Sequence, residues 1–215
     1  MKINIIQKIV TTTLVLGSFT ISFAQKIDEQ AKKILDEVTQ NYESKENTYF
    51  KFVFSSGNGK IAKNQSGIYY AAKDKYKLKI MGTEQIFDGK KIYNISADEK
   101  EVTIAKSDGK DAMFSPINYL DTYKKDYNVD YNGQKKINNV NANMIVLTPV
   151  KSNGLKTINL YVNAEKKQLV RLEQYSNNGD IAIINITNYK ENQKLSPEMF
   201  SFNAKKYKNY LVTEL

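Results

Sequence analysis

Two places in the sequence gather carboxylates at spacings that could do acid–base chemistry, Asp98 with Glu99 and Glu101 and Asp108 with Asp111, and Asp88 stands by itself beside Gly89. Paired carboxylates can run general acid and base steps without histidine, one protonated and the other ionised. Side-chain catalysis would need that route, because the chain contains no histidine and no cysteine. A Ser-His or Cys-His pair, a thiolate and an imidazole metal ligand are all out of reach. Both acidic clusters fall among lysines in segments that read as turns, where a carboxylate is simply solvated. Asp88 before Gly89 has the residue types of a tight hairpin rather than of a catalytic base. No glycine-rich phosphate loop, nucleophile elbow or metal motif accompanies them. The residues therefore argue for a container, not an enzyme, and imply no cofactor or metal.

The elements that would build such a container are legible in the hydrophobic pattern. Ile27, Ala31, Ile34, Leu35, Val38 and Tyr42 recur at spacings of three and four, which predicts an amphipathic helix with Asp28 and Glu29 in its first turn. Phe50, Phe52 and Phe54 then alternate with Lys51 and Val53, the period of a half-buried strand. Strands follow near Ser66 to Ala72, through Tyr76, Leu78 and Ile80, across the Asp88-Gly89 hairpin to Ile92, and over Glu101 to Lys106. At Ser115-Pro116 the pattern becomes helical, with Ile117, Leu120 and Tyr123 on one face. Strands resume at Tyr127, include Met144 to Leu147, apolar on both faces, and Ile158, Leu160 and Val162, and continue past Leu172 to Tyr189. Ser196-Pro197 marks one further helical turn before Phe200-Ser201-Phe202. The pattern predicts about eleven strands, too many for a flat sheet. Strong curvature gives a barrel or a half barrel: a closed one would fill its interior with side chains or hold a ligand, whereas an open one needs its apolar lining covered by helices, and two amphipathic helices are available.

The N-terminus reads as an export signal over residues 1–24: Lys2 and Lys8, an apolar stretch from Ile9 to Ile21, and Ser22-Phe23-Ala24 as a small-x-small cleavage site. No cysteine follows that could carry a lipid, so a soluble periplasmic protein is expected, with residues 25–215 forming a single domain. The formal charge is +9, of which Lys2 and Lys8 carry two, leaving +7, and Arg171 is the one basic residue that is not lysine. Such a surface suits anionic membranes or acidic partners more than nucleic acid, whose readout leans on arginine. No nucleic acid partner is expected. Zero cysteine means that the fold rests on its hydrophobic core alone.

Several local motifs, taken in order, resemble the periplasmic lipoprotein carriers of the LolA family, over nearly all of the chain after residue 24. An opening amphipathic helix precedes Tyr49-Phe50-Lys51-Phe52. Phe87-Asp88-Gly89-Lys90-Lys91-Ile92-Tyr93 is similar to the family's aspartate-glycine-lysine hairpin, Leu147-Thr148-Pro149 precedes Ser152-Asn153-Gly154, and Phe200-Ser201-Phe202 sits where the family has an aromatic pair. The resemblance implies a strongly curved antiparallel sheet forming an unclosed half barrel, covered by amphipathic helices, that carries acyl chains in an apolar concavity; a monomer is expected. It implies as partners acylated lipoproteins, an inner-membrane lipoprotein-release transporter, and an outer-membrane acceptor or membrane surface. Candidate lining residues are Phe50, Phe52, Phe54, Leu78, Ile80, Ile117, Leu120, Leu160 and Leu172. Where the family has an Arg-Pro pair whose arginine holds the lid, this chain reads Ala71-Ala72-Lys73-Asp74, which makes Lys73 the candidate for lid control, without the bidentate reach of a guanidinium. The alternative within the same pattern is a domain that senses lipid or lipoprotein and reports to a membrane regulator.

Overall fold

A computed structural model describes residues 25–61, 63–107 and 118–215. The chain opens with helix α1 (Glu29–Glu43), whose N-cap Asp28 accepts the Ala31 N–H at 2.9 Å. Six strands follow: β1 (Thr48–Asn58), β2 (Lys63–Ala72), β3 (Lys75–Ile80), β4 (Thr83–Phe87), β5 (Lys91–Ser96) and β6 (Glu101–Lys106). Helix α2 (Asn118–Asp126) runs directly into β7 (Tyr127–Ile137), then β8 (Val140–Pro149), β9 (Leu155–Asn163), β10 (Gln168–Ser176) and β11 (Asp180–Glu191). A short 3-10 turn (Ala204–Tyr207) and β12 (Leu211–Glu214) end the chain.

The strands form one sheet in the order β12-β6-β5-β4-β3-β2-β1-β11-β10-β9-β8-β7, with no hydrogen bonds joining β12 to β7 among the described residues. This is the unclosed half barrel expected from the sequence. There are twelve strands among the described residues, however, not about eleven, and the added β12 lies parallel to β6, so the sheet is not wholly antiparallel. Four residues carry too little alternation to announce a strand, and β12 exists through a long-range pairing that local pattern does not encode.

Chain reversals follow the turn chemistry. At the β4–β5 hairpin Asp88 Oδ1 accepts the N–H groups of Lys90 and Lys91, each at 2.8 Å, and Tyr93 O–H donates to Asp88 Oδ2 at 3.0 Å. Gly89 sits at φ 96°, a region open to glycine at little cost. Partial burial pushes the Asp88 carboxyl up, but these hydrogen bonds outweigh it and hold the group below its usual value. Asp88 is thus a turn former, as its residue context predicted.

Two bulges retune which side chains face inward. The β9–β10 register shifts between Leu169 and Arg171, so Leu169 and Leu172 both enter the core although their spacing breaks strict alternation. A second shift between Lys51 and Phe52 aligns Phe50 with Tyr189 and Phe52 with Ile186. Within Met144 to Leu147, Ile145 and Leu147 point into the core while Met144 and Val146 are only partly buried, although Ala142, further along the same face as Met144, is fully buried. The expectation of a stretch deeply covered on both sides therefore does not hold at Met144 and Val146.

The concave face and the helices make the main core. A separate small cluster, Ile86, Ile95 and Val102, lies on the convex face under Phe202, Tyr207 and Tyr210, with Tyr93 and Phe202 stacked at 4.8 Å. The Ser196-Pro197 segment forms the expected turn, with Met199 N–H donating to Ser196 O and Ser201 N–H to Glu198 O, each at 3.0 Å.

Candidate apolar binding concavity

The inner wall is built by cross-strand neighbours sharing one face. One row crosses the sheet from Ile145 through Leu160, Leu172 and Ile184 to Phe54. A second runs from Tyr189 through Phe50 and Tyr69 to Leu78, and a third from Ile186 through Phe52 and Gly67 to Ile80. Facing rows of this kind are how a curved sheet makes a continuous apolar surface. The Phe52 ring lies directly over Gly67: a Cβ added there would stand 2.3 Å from Phe52 Cζ. Glycine at 67 is what lets this ring lie flat on the wall.

Both helices roof that wall, in different ways. Helix α1 buries Ala31, Leu35, Val38 and Tyr42 in the core. At its start Asp28 N–H donates to Val129 O at 2.9 Å and Val129 N–H to Lys26 O at 2.8 Å, and at its end the Leu169 N–H donates to the Tyr42 hydroxyl at 3.0 Å. Both ends are therefore tied to strands. Helix α2 buries Leu120 and Tyr123 and is held largely by polar side chains. Gln174 Nε2 donates to the Tyr119 hydroxyl, Gln25 Nε2 donates to Tyr123 O at 2.7 Å, and Asp36 of α1 clasps two α2 residues. Tyr123 O–H donates to Asp36 Oδ1 at 2.7 Å, Lys124 Nζ approaches the same oxygen at 2.6 Å, and Lys32 Nζ reaches Oδ2 at 2.8 Å.

The electrostatics of the clasp follow from this geometry. Partial burial pushes the Asp36 carboxyl up, but hydrogen bonds from Lys124, Lys32 and Tyr123 and the charge of Lys124 win and hold it far below the usual carboxylate range. Burial, and then the Asp36 carboxylate, push the Tyr123 phenol well up. Burial likewise raises Tyr119 to about 12, against the bond from Gln174. The clasp thus joins an ionised carboxylate to a neutral phenol and two ammonium groups, an arrangement that water can replace when the helices part.

The sequence candidates converge here. Phe50, Phe52, Leu78, Ile80, Leu120, Leu160 and Leu172 belong to one buried cluster, and Phe54 packs against it partly buried. Ile117 lies outside the described residues, as do the Asp108–Asp111 cluster and residues 1–24. Lys73 occupies the β2–β3 turn at φ 52° and lines a cleft of about 340 Å³ with Tyr42 and Glu43 of α1, Lys45 and Ala71, and it makes no ion pair among the described residues. The residue that does join the helices, Asp36, was missed. The signal for it lay in Tyr123: a tyrosine on the apolar face of a helix needs a partner for its hydroxyl, and Asp36 borders the apolar face of the other amphipathic helix.

An unclosed sheet whose apolar hollow is roofed by one fixed and one clasped helix defines a container of the half-barrel class. The family described as outer membrane lipoprotein carrier protein LolA matches residues 47–203, more than half of the 215 residues, and the protein belongs to it. A protein of Thermus thermophilus, described only as an uncharacterized conserved protein, shares the fold with a TM-score of 0.62 at 13% identity, over 87% of this chain and 100% of that one. Two more distant structures are a putative outer membrane lipoprotein-sorting protein domain from Vibrio parahaemolyticus and LprF from Mycobacterium bovis. The first has a TM-score of 0.46 at 11% identity, over 84% and 99% of the two chains, and the second 0.47 at 13% identity, over 81% and 99%. No curated protein matches the sequence.

Proposed function

We propose that the protein is a periplasmic carrier that takes the acyl chains of lipoproteins into the hollow beneath α1 and α2 and moves them from the inner to the outer membrane. Export by a cleaved signal over residues 1–24 delivers it there. An inner-membrane release transporter hands over the cargo, and an outer-membrane acceptor or the membrane surface receives it. The observation that carries the reading is the pairing of a continuous apolar inner wall with a roof helix fastened to its neighbour by partly exposed charged groups. The hollow is filled by the protein's own side chains, Leu35, Val38, Phe50 and Phe52 among them, so cargo enters by displacing cover rather than by occupying a standing cavity.

Energetics favour this exchange. Burying an acyl chain of about 16 carbons is worth roughly 12 kcal/mol at about 0.8 kcal/mol per CH₂. Two or three chains enclosed at that value would exceed the practical ceiling of about 20 kcal/mol for non-covalent affinity and would never leave. Re-exposing the protein's own apolar side chains as the roof lifts offsets much of the gain, so release to a membrane stays fast. The test is to incubate the purified protein with a triacylated lipoprotein and with the same protein lacking its lipid-modified cysteine, and to separate soluble complexes by size. Capture of only the acylated form supports carriage. Capture of neither by folded protein removes it and leaves a lipid-sensing domain as the reading.

A further inference from the structure

The inner wall changes character along the sheet. Past Leu78 its row continues through Gln85, Asn94 and Thr103 on β4, β5 and β6, and past Ile80 the neighbouring row continues through Thr83, Ser96 and Glu101. At the opposite end of the same strands Phe87, Ile92 and Ala105 keep the face apolar. The polar stretch is therefore a bounded region of one wall, continuous with the apolar hollow.

Hydrogen bonding aims this region outward. Gln85 is 3% exposed, and its amide is engaged on both sides: Tyr76 O–H donates to Gln85 Oε1 at 3.1 Å, and Gln85 Nε2 donates to Asn94 Oδ1 at 2.6 Å. The relay engages the oxygen of Asn94, and Asn94 lines a cleft of about 370 Å³ with Thr83, Ser96, Thr103 and the carboxylates of Asp98, Glu99 and Glu101. A wall meant only for hydrocarbon gains nothing from such groups, since covering an amide or hydroxyl without a partner costs free energy. Amide and hydroxyl groups beside three carboxylates suit a ligand that offers carbonyls to the first and N–H groups to the second. A free fatty acid is a poor fit, because its carboxylate would face Glu101.

Resting on the carrier reading, we infer that this cleft holds the ester and amide linkage that joins acyl chains to their polypeptide, while the chains run inward beneath α1. Three strand spacings separate Leu78 from Thr103, roughly 14 Å, enough to seat a glyceryl diester and the first peptide units. The hollow then orients its cargo as well as shielding it. The tails lie against Phe50, Phe52 and Leu78, and the polypeptide leaves over β6.

The experiment compares two probes on the purified protein: a tripalmitoylated cysteinyl-seryl peptide, and the neutral apolar dye N-phenylnaphthylamine. The double variant Asn94→Leu, Thr103→Val removes polar groups and keeps the shape close to native. Its affinity for the lipopeptide is expected to fall about tenfold, the worth of one or two hydrogen bonds, with dye binding changed less than about twofold. Unchanged lipopeptide affinity, or an equal loss for both probes in a folded variant, overturns the inference. If that variant does not fold by circular dichroism, Ser96→Ala with Glu101→Gln at the half-buried rim carries the same expectation at about threefold. Wild-type protein that binds the dye but not the lipopeptide sinks the carrier reading itself. Wild-type protein that binds both, with variants of unchanged selectivity, sinks only the cleft assignment.

Discussion

The two roof helices cover the same wall and are attached to it differently. α1 has 15 residues, four of them in the core, and is tied to strands at both ends. α2 has 9 residues, buries only Leu120 and Tyr123 among its described side chains, and is further held by Asp36, Gln25 and Gln174. Apolar burial is strong and indifferent to the direction of approach, whereas an exposed charged clasp exchanges readily with water. A roof built from one of each has a fixed half and a half that can lift; on the carrier reading proposed above, α2 is the gate.

The largest expected effect tests the fixed half. Leu35→Ala should cost about 2–5 kcal/mol of global stability, seen as a lower urea midpoint, whereas Leu120→Ala should loosen α2 locally and move the global midpoint by less than about 1 kcal/mol. Equal midpoint shifts would break the contrast between the helices. Next, Gly67→Ala places a methyl where the Phe52 ring lies and should cost about 1–3 kcal/mol; a neutral result would mean that the ring has room to move. A smaller effect tests the clasp. Asp36→Asn should change global stability by no more than about 1 kcal/mol but should speed amide hydrogen exchange across residues 118–126 and raise the rate of apolar dye uptake. Unchanged exchange there would remove Asp36 from gate control.

The smallest effect is a pH dependence. The Asp36 carboxyl is held far below its usual value in the folded state, so its contribution is fully present above the unfolded carboxylate pKa of about 4. It declines as the pH falls below that point toward the depressed folded value. The α2 contacts should therefore be unchanged between pH 7 and pH 5 and weaken below about pH 4. Exchange at residues 118–126 that already rose at pH 6 would point to a different titrating group.

Period-2 and period-3.6 patterns sufficed to recognise the curved sheet and both helices, because Phe50, Phe52 and Phe54 or Leu35 and Val38 each sit on a face that only one element type can make. Asp88-Gly89 was equally legible, since its hydrogen bonds are local. What escaped depends on distant partners. The β12–β6 pairing and the Asp36–Tyr123 bond link residues far apart in sequence, the Leu169 bulge is an extra residue that alternation does not announce, and Lys73 is a candidate by family position rather than by what lies near it in space. The polar strip was hidden for the same reason: Gln85, Asn94 and Thr103 become neighbours only through strand register.

Strands β12 and β7 share no ladder, and the outer edge of β7 is occupied by Ile27 through a single bridge to Val129. In a closed barrel, strand number and shear fix the interior radius, and enlarging it means breaking ladders. Here the girth is free to vary: the two margins can spread or approach by changing the sheet's coil, with every interstrand bond retained. On the carrier reading, a vessel with an adjustable circumference fits one, two or three hydrocarbon tails without a separate compartment for each.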